Sequence, residues 1–303
     1  MRRHLGIILF ALALAAIASP ALASPSALGV AGNYNGFIFN NFKATADTEG
    51  RLAVGGNMHV SGYSVGDKLP ARTTGDVLVV GNNLSFRGGR VYHGDVRVGG
   101  KVTGHPGYKF YDGSLYERSA MAIDFAAEKQ SLTNLSASLA GLAATGTTAN
   151  YWGGMQLFGD AGSDLQVFNV SGADLLSGWG LGIMGNVDPS DTIVINVSGQ
   201  MAGFTGFNME SLRQYSSNIL FNFHEATSLA LSGVAVWGSI LAPNANINHS
   251  SGVLNGTLIA NSFHGSMQLN NVPFEGNLPT PIPGTVFLLG TGLAGLLGWR
   301  KRR

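Results

Sequence analysis

Residues 237–263 read WGSILAPNANINHSSGVLNGTLIANSF. Within this stretch ILAPNA at 240–245 returns as LIANSF at 258–263, so Leu241 and Ile259 hold equivalent places 18 residues apart. The same distance separates Val80 from Val98, in LVVGNNLSF (78–86) and VRVGGKV (96–102). LVVGNNLSF also resembles LAVGGNMHV (52–60), and VFNVSG at 167–172 recurs as VINVSG at 194–199. Each phrase is a short β-branched or aliphatic run closed by Gly, Asn or Ser. The run suits a strand, and the closing residues suit a turn that needs positive φ. Eighteen residues is awkward for a hairpin and short for a strand–helix–strand crossover. It matches one coil of a solenoid, in which each coil stacks on the last and like residues line up into an interior column. Asn at the turns tolerates the left-handed region and can bond to the Asn of the next coil. The predicted fold is mainly β: a right-handed parallel β-helix (β-solenoid), with irregular repeats.

One segment breaks the pattern. In residues 116–142, Met121, Phe125, Glu128, Leu132, Leu135, Leu139 and Leu142 recur at alternating spacings of four and three. That is an amphipathic helix, placed along one flank of the solenoid and ending near Gly141 or Gly146. A coiled-coil partner is a weaker reading, because the run is short and sparsely charged.

The 303-residue chain has 44 Gly, no Cys and 12% charged residues. Its ends are special. Arg2 and Arg3 precede an apolar run over 5–16, and Ala21, Leu22 and Ala23 before Ser24 form a small-x-small cleavage site. Residues 1–23 therefore read as a signal peptide, with signal peptidase as the implied partner; the apolar run is short for a membrane span. At the other end, residues 279–303 combine a Pro-rich turn, an uncharged stretch over 285–299 and the terminal Arg300, Lys301, Arg302 and Arg303. Residues 24–280 keep 12 Lys and Arg against 17 Asp and Glu, a net charge of −5. The basic balance lies in the ends, so nothing points to nucleic acid. An exported chain without Cys has no disulfide framework and relies on packing and backbone hydrogen bonds.

Two resemblances follow from particular residues. The tail, with Pro281, Ile282 and Pro283 where Pro-Glu-Pro is usual, resembles the PEP-CTERM sorting signal. That implies cleavage by an exosortase-type sorting enzyme, transient anchoring in the inner membrane, and delivery to the cell surface or extracellular matrix of a Gram-negative bacterium. A plain C-terminal membrane anchor is the alternative. The body (24–278) carries NYNGFIFNNF (33–42), EGRLAVGGN (49–57), TIVINVSG (192–199), ILFNFHEATSLALSG (219–233), WGSILAPNANI (237–247) and GTLIANSF (256–263). In this order the phrases resemble the choice-of-anchor A domain of bacterial surface proteins. The sequence departs at Met267, Gln268 and Leu269, where members often carry His, but keeps Pro273 and Phe274. The resemblance implies an extracellular β-rich adhesin domain with no established catalytic residues.

Motifs for chemistry are weak. His59, His93, His105, His224, His249 and His264 have no metal-ligand spacing; His249 and His264 are placed to meet across coils, as structural residues. Gly180, Gly182 and Gly185 match GxGxxG, but a turn follows where a phosphate site needs a helix. Gly62, Ser64 and Gly66 match GxSxG, but Pro70 blocks the helix a nucleophile elbow needs. Asp160 with Asp164, and Asp188 with Asp191, are loop carboxylates without a known Ca²⁺-loop spacing. Six Asn-x-Ser/Thr sites, such as Asn169, read as turn chemistry. Trp152, Trp179 and Trp237 read as packing residues first and sugar-stacking residues second. No catalytic residue, metal or cofactor is assigned. The expected function is binding: a surface or biofilm-matrix protein holding extracellular polysaccharide or another surface through rows of weak polar contacts summed along the column. A polysaccharide-cleaving β-helix would need carboxylates and cations clustered in one groove. An ice-binding protein would need a flat Thr ladder, whereas Thr73, Thr74, Thr103, Thr147, Thr148, Thr192 and Thr257 are scattered.

Overall fold

The computed structural model describes residues 28–104 and 108–279. One coil can be walked along the strand Ser239–Asn255. Residues 240–242, 246–248 and 252–255 lie parallel to 258–260, 262–264 and 267–270 of the next coil. Leu241 pairs with Ile259 in this register, and Val80 pairs with Val98 elsewhere. The repeated phrases are therefore vertical neighbours in a parallel β-solenoid. Coils that exceed 18 residues place the excess in loops or short helices. Val167 pairs with Val194, 27 residues on, and that coil contains the short helix Gly172–Ser177.

The three segments of each coil build three faces. The first face stacks Leu165–Ser171, Thr192–Ser198, Ile219–Asn222, 240–242, 258–260, Gly36–Ile38, Leu52–Val54, Asp76–Val80, Asp95–Val98 and Leu115–Glu117, all parallel. The second, the front face, runs from Met201–Thr205 through Phe42–Ala44 to Val102–Thr103. The rear face runs from Val234–Trp237 to Tyr108–Tyr111. An antiparallel hairpin, Thr147–Tyr151 with Gly154–Gly159, lies beside Gly180–Gly185 at the rear face's far end. Alternation along each strand sends Ile38, Val54, Leu78, Val80, Ile193 and Ile195 into the interior column.

Turns between the first two faces stack as tightly as the strands. A Cβ on Gly81 would lie 2.2 Å from the Gly55 carbonyl oxygen, and one on Gly99 would lie 2.1 Å from that of Gly81. Only glycine allows this approach. Beside them an asparagine ladder climbs the corner. Asn41 Oδ1 accepts from the Asn57 backbone and carboxamide at 3.0 and 3.2 Å, and Asn57 Oδ1 accepts both from Asn83 at 3.2 Å.

Two expectations are corrected. The coils do not stack in chain order: the first strand, Gly36–Ile38, sits mid-column between 258–260 and Leu52–Val54. The chain climbs from the middle to one end, recrosses through a helix, and winds back from the far end until its last coil docks beneath its first. The helix, α1, spans Phe125–Ala140 and not 116–142. Asp124 caps it, its Oδ1 accepting from the Ala126 and Ala127 N–H groups at 3.1 and 3.0 Å. Residues 115–117 instead add a strand to the column, with the Arg97 guanidinium 4.9 Å from the Tyr116 ring centre.

Helix α1 covers the first face. Leu132, Leu135 and Leu139 are buried with the outward residues of the rungs beneath: Phe37, Ala53, Val79, Val194, Leu220, Leu241 and Ile259. Each fully buried leucine contributes about 1.5–3 kcal/mol. A second asparagine ladder, buried at Asn196 and Asn222, fixes the helix register. Asn222 Nδ2 donates to the Ser136 carbonyl and to Asn196 Oδ1, both at 2.8 Å. Asn196 Nδ2 donates to the Leu139 carbonyl at 2.9 Å and to Asn169 Oδ1 at 3.2 Å. The Ser136 hydroxyl donates to Asn222 Oδ1. Asn169 and Asn196 belong to the repeated VFNVSG and VINVSG phrases, so here the sequon residues serve as rung-to-rung hydrogen-bonding groups.

Candidate binding face

The front face has the same pleat as the helix-covered face but carries no cover among the described residues. Its inward residues, such as Phe42, Met58, Val60, Leu84, Phe86 and Phe263, are buried. The positions between them point outward and line up by register. Asn248 pairs with His264, His264 with Lys43, Lys43 with His59, and His59 with Ser85. Parallel rungs are spaced about 4.8 Å apart, so these polar groups form a straight row with that repeat. Ser61 and Arg87 form the start of a second row. The asparagine ladder of 41, 57 and 83 borders the face and fixes its edge.

Charge distinguishes this face. Among the described residues its strands carry Lys43, His59, Arg87 and His264 but no Asp or Glu. Two of the body's twelve Lys and Arg residues, Lys43 and Arg87, stand in these rows, so what distinguishes the face is the absence of carboxylates from its strands. The predicted meeting of His249 and His264 occurs, with ring centres 5.5 Å apart. His249 takes φ +56° at a register shift between Asn248 and Ser250. This bulge opens a notch lined by His249, His264, Lys43, Thr45 and Ser251. Neither imidazole is buried, so both are surface residues and not members of the core.

Residues 27–271 match the family model described as "Putative Ice-binding-like adhesive domain". The chain belongs to this family. A search of curated protein sequences finds no match. Among solved structures, the chain is similar to an ice-binding protein from the Antarctic ascomycete Antarctomyces psychrotrophicus, at 15% identity and TM-score 0.37, over 82% of this chain and 98% of that one. It is also similar to an ice-binding protein from an Antarctic biological consortium, at 16% identity and TM-score 0.39, over 83% and 92% of the two chains. A glycosylated ice-binding protein from Arctic yeast matches at 12% identity and TM-score 0.32, over 84% and 95%.

The remaining motifs find structural places in this adhesive domain. Ser64 lies within the strand Met58–Val65, and its N–H donates to Asp47 Oδ1 at 2.8 Å, so no nucleophile elbow exists there. Gly180, Gly182 and Gly185 lie in a strand beside Gly154–Gly159 and not at a strand-to-helix turn. Asp164, Asp188 and Asp191 do line one notch. Asp188 caps its own turn: the Ser190 hydroxyl and N–H donate to it at 2.6 and 2.9 Å and hold its carboxyl below the ordinary carboxylate range. Asp191 accepts from the Asp188 N–H and from Gln166. Among the described residues no three His, Asp or Glu side chains are grouped to hold a metal ion.

Packing as the first role is corrected for Trp152 and Trp179, whereas Trp237 is partly buried against the core. Trp152 is 94% exposed and Trp179 is 55% exposed, both at the far end of the rear face. Sequence reasoning found these residues but could not see that the hairpin turn carries Trp152 outside the core, nor that Trp179 stands exposed at the start of the neighbouring strand. Ala21, Ala23, Ser24, Pro281, Ile282, Pro283, Arg300, Lys301, Arg302, Arg303 and His105 lie outside the described residues. No helix among the described residues is long and apolar enough to cross a membrane.

Proposed function

We propose that this adhesive domain is exported and holds an acidic extracellular polysaccharide along its front face, without catalysis. The observation that carries this reading is the straight, carboxylate-free row running from Asn248 through His264, Lys43 and His59 to Ser85. A repeating polymer meets a repeating row, and each weak contact adds to the next. Lys43 and Arg87, standing on a face whose strands carry no carboxylate among the described residues, favour a polyanion there. The ends of the chain support the location. Residues 1–23 read as a signal peptide removed by signal peptidase, and 279–303 as a PEP-CTERM-like tail handled by an exosortase-type enzyme at the inner membrane. Within the family, the choice-of-anchor A resemblance supports an attached surface protein. Mass spectrometry of the mature secreted form would fix both termini.

The alternatives have less support. A polysaccharide-cleaving site requires paired carboxylates, and the front-face strands carry none among the described residues. An ice-binding face requires a Thr ladder, but Thr192 and Thr257 are buried, and Thr147 and Thr148 lie in the end hairpin. The test is retention of the mature protein on immobilised polygalacturonate and on neutral dextran. We expect retention on polygalacturonate alone, weakened at 0.5 M salt by screening, and at least tenfold weaker binding for K43A/R87A. Equal retention on both matrices, or an unaltered double variant, would overturn the reading. Thermal hysteresis with no polyuronate binding would replace it with the ice-binding one.

A further inference from the structure

We propose that the far end of the rear face holds a second, separate site that takes an uncharged pyranose ring. The ligand class follows the polysaccharide reading above, but the surface, the residues and the sugar charge differ. The groove encloses about 350 Å³ between Trp179, Gln156, Asn208, Glu210 and Ser211, over a floor that includes Gly182. That volume is near the small end of natural ligand clefts.

The aromatic wall is fixed in place. The Trp179 indole N–H donates to the Trp152 carbonyl at 2.8 Å. Its ring lies against the backbone of the hairpin turn, where a Cβ on Gly154 would come within 2.4 Å of Trp179 Cζ2. Trp152 takes φ +52°, a conformation that costs a bulky residue energy. The turn thus holds one large indole out in solvent and orients the other. A core has no use for either arrangement. The floor is kept low, since a side chain at Gly182 would meet the Gln156 carboxamide at 2.6 Å.

Polar groups converge on the same groove. Glu210 Oε2 accepts from the Trp237 indole N–H at 3.2 Å, and Glu210 Oε1 accepts from Arg213 Nη1 at 3.3 Å. The Arg213 guanidinium lies 5.1 Å from the Trp237 ring centre. Asn208 Oδ1 accepts from the Glu210 N–H at 3.0 Å. A carboxylate is therefore held at the rim beside two carboxamides, those of Gln156 and Asn208. A pyranose presents an apolar C–H face and an equator of hydroxyls. Its face matches the exposed Trp179 ring, and its hydroxyls match Glu210, Gln156 and Asn208. Arg213 already pairs with Glu210, so the groove offers hydroxyls a compensated hydrogen-bonding rim, whereas the front face offers Lys43 and Arg87 without a carboxylate in its strands. The two surfaces therefore select different residues of a mixed polymer.

The experiment uses the mature secreted protein and four neutral probes: cellohexaose, maltohexaose, laminarihexaose and mannohexaose. Tryptophan fluorescence and calorimetry read binding. We expect at least one probe to bind, with affinity at least tenfold weaker in W179A and several-fold weaker in W152A and E210Q. W152A and E210Q keep the fold testable, because Trp152 is solvent-exposed and E210Q preserves shape. Polygalacturonate retention should not change in these variants, and K43A/R87A should bind the neutral probe normally. The proposal fails if none of the four probes binds, or if all three end-groove variants bind like the parent. It also fails if the exposed tryptophans instead drive self-association that W152A abolishes. A front face that fails while the groove binds sinks only the earlier reading.

Discussion

The helix-covered face and the front face are made by the same coils, yet they differ in what stands between the inward residues. On the covered face the outward positions are Phe37, Ala53, Val79, Val194, Leu220, Leu241 and Ile259, under α1. On the front face the equivalent positions are Asn248, His264, Lys43, His59 and Ser85. The parallel ladder is common to both. One column thus separates the work of stability from the work of contact by choosing the residue at every second position. An adhesive surface can vary freely in such a fold, because its outward side chains carry little of the packing.

The sharpest way to break this comparison is to place the same charge on each face. Leu220→Asp puts a carboxylate at a fully buried site beneath α1. It should cost about 4 kcal/mol or more and abolish cooperative thermal unfolding by circular dichroism. His59→Asp on the front face should change stability by no more than about 0.5 kcal/mol. If both variants behave alike, the two faces are not energetically distinct.

The two asparagine ladders sharpen it further. Asn222→Ala removes the carboxamide that satisfies Ser136 and Asn196 in a fully buried setting. Leaving those groups unpaired should cost about 2–3 kcal/mol. Asn57→Ala breaks the exposed ladder at the front edge, where water replaces the lost partners, and should cost about 0.5–1 kcal/mol. Urea unfolding midpoints with unchanged m-values would measure both.

The smallest effect concerns the interior at high pH. Tyr63 is fully buried and hydrogen-bonded with Thr48. Burial pushes its phenol well above the usual tyrosine range. Its folded form therefore keeps the proton after the unfolded chain has lost it. Below about pH 10 its contribution to stability is constant. Above that, the unfolded state binds fewer protons, and stability falls as pH rises. Ultraviolet titration should show Tyr63 ionising only with unfolding, and Tyr63→Phe should flatten the alkaline loss of stability.

The candidate site was partly legible before the structure. The 18-residue spacing identified the rungs, and it placed His249 and His264 on neighbouring coils. The join of His264 to Lys43 that makes the row continuous was not legible, because it depends on the last coil docking beneath the first. The exposure of Trp152 and Trp179 was hidden for a related reason. A tryptophan beside glycines reads the same in a core as in a protruding hairpin, and only the antiparallel pairing of Thr147–Tyr151 with Gly154–Gly159 distinguishes them.

Alone, the sequence determined that the chain forms short rungs with a dry interior and glycine–asparagine corners. Those features are local, repeat along the chain, and follow from side-chain alternation and turn sterics. The tertiary structure alone decided the order of the rungs, the cover that α1 gives one face, and the end at which the hairpin sits. Every rung offers much the same backbone donors and acceptors, so spacing cannot say which rung a strand will pair with. Burial of the Phe37-to-Ile259 face beneath α1, with the Asn169, Asn196 and Asn222 ladder locking Ser136 and Leu139, makes that choice.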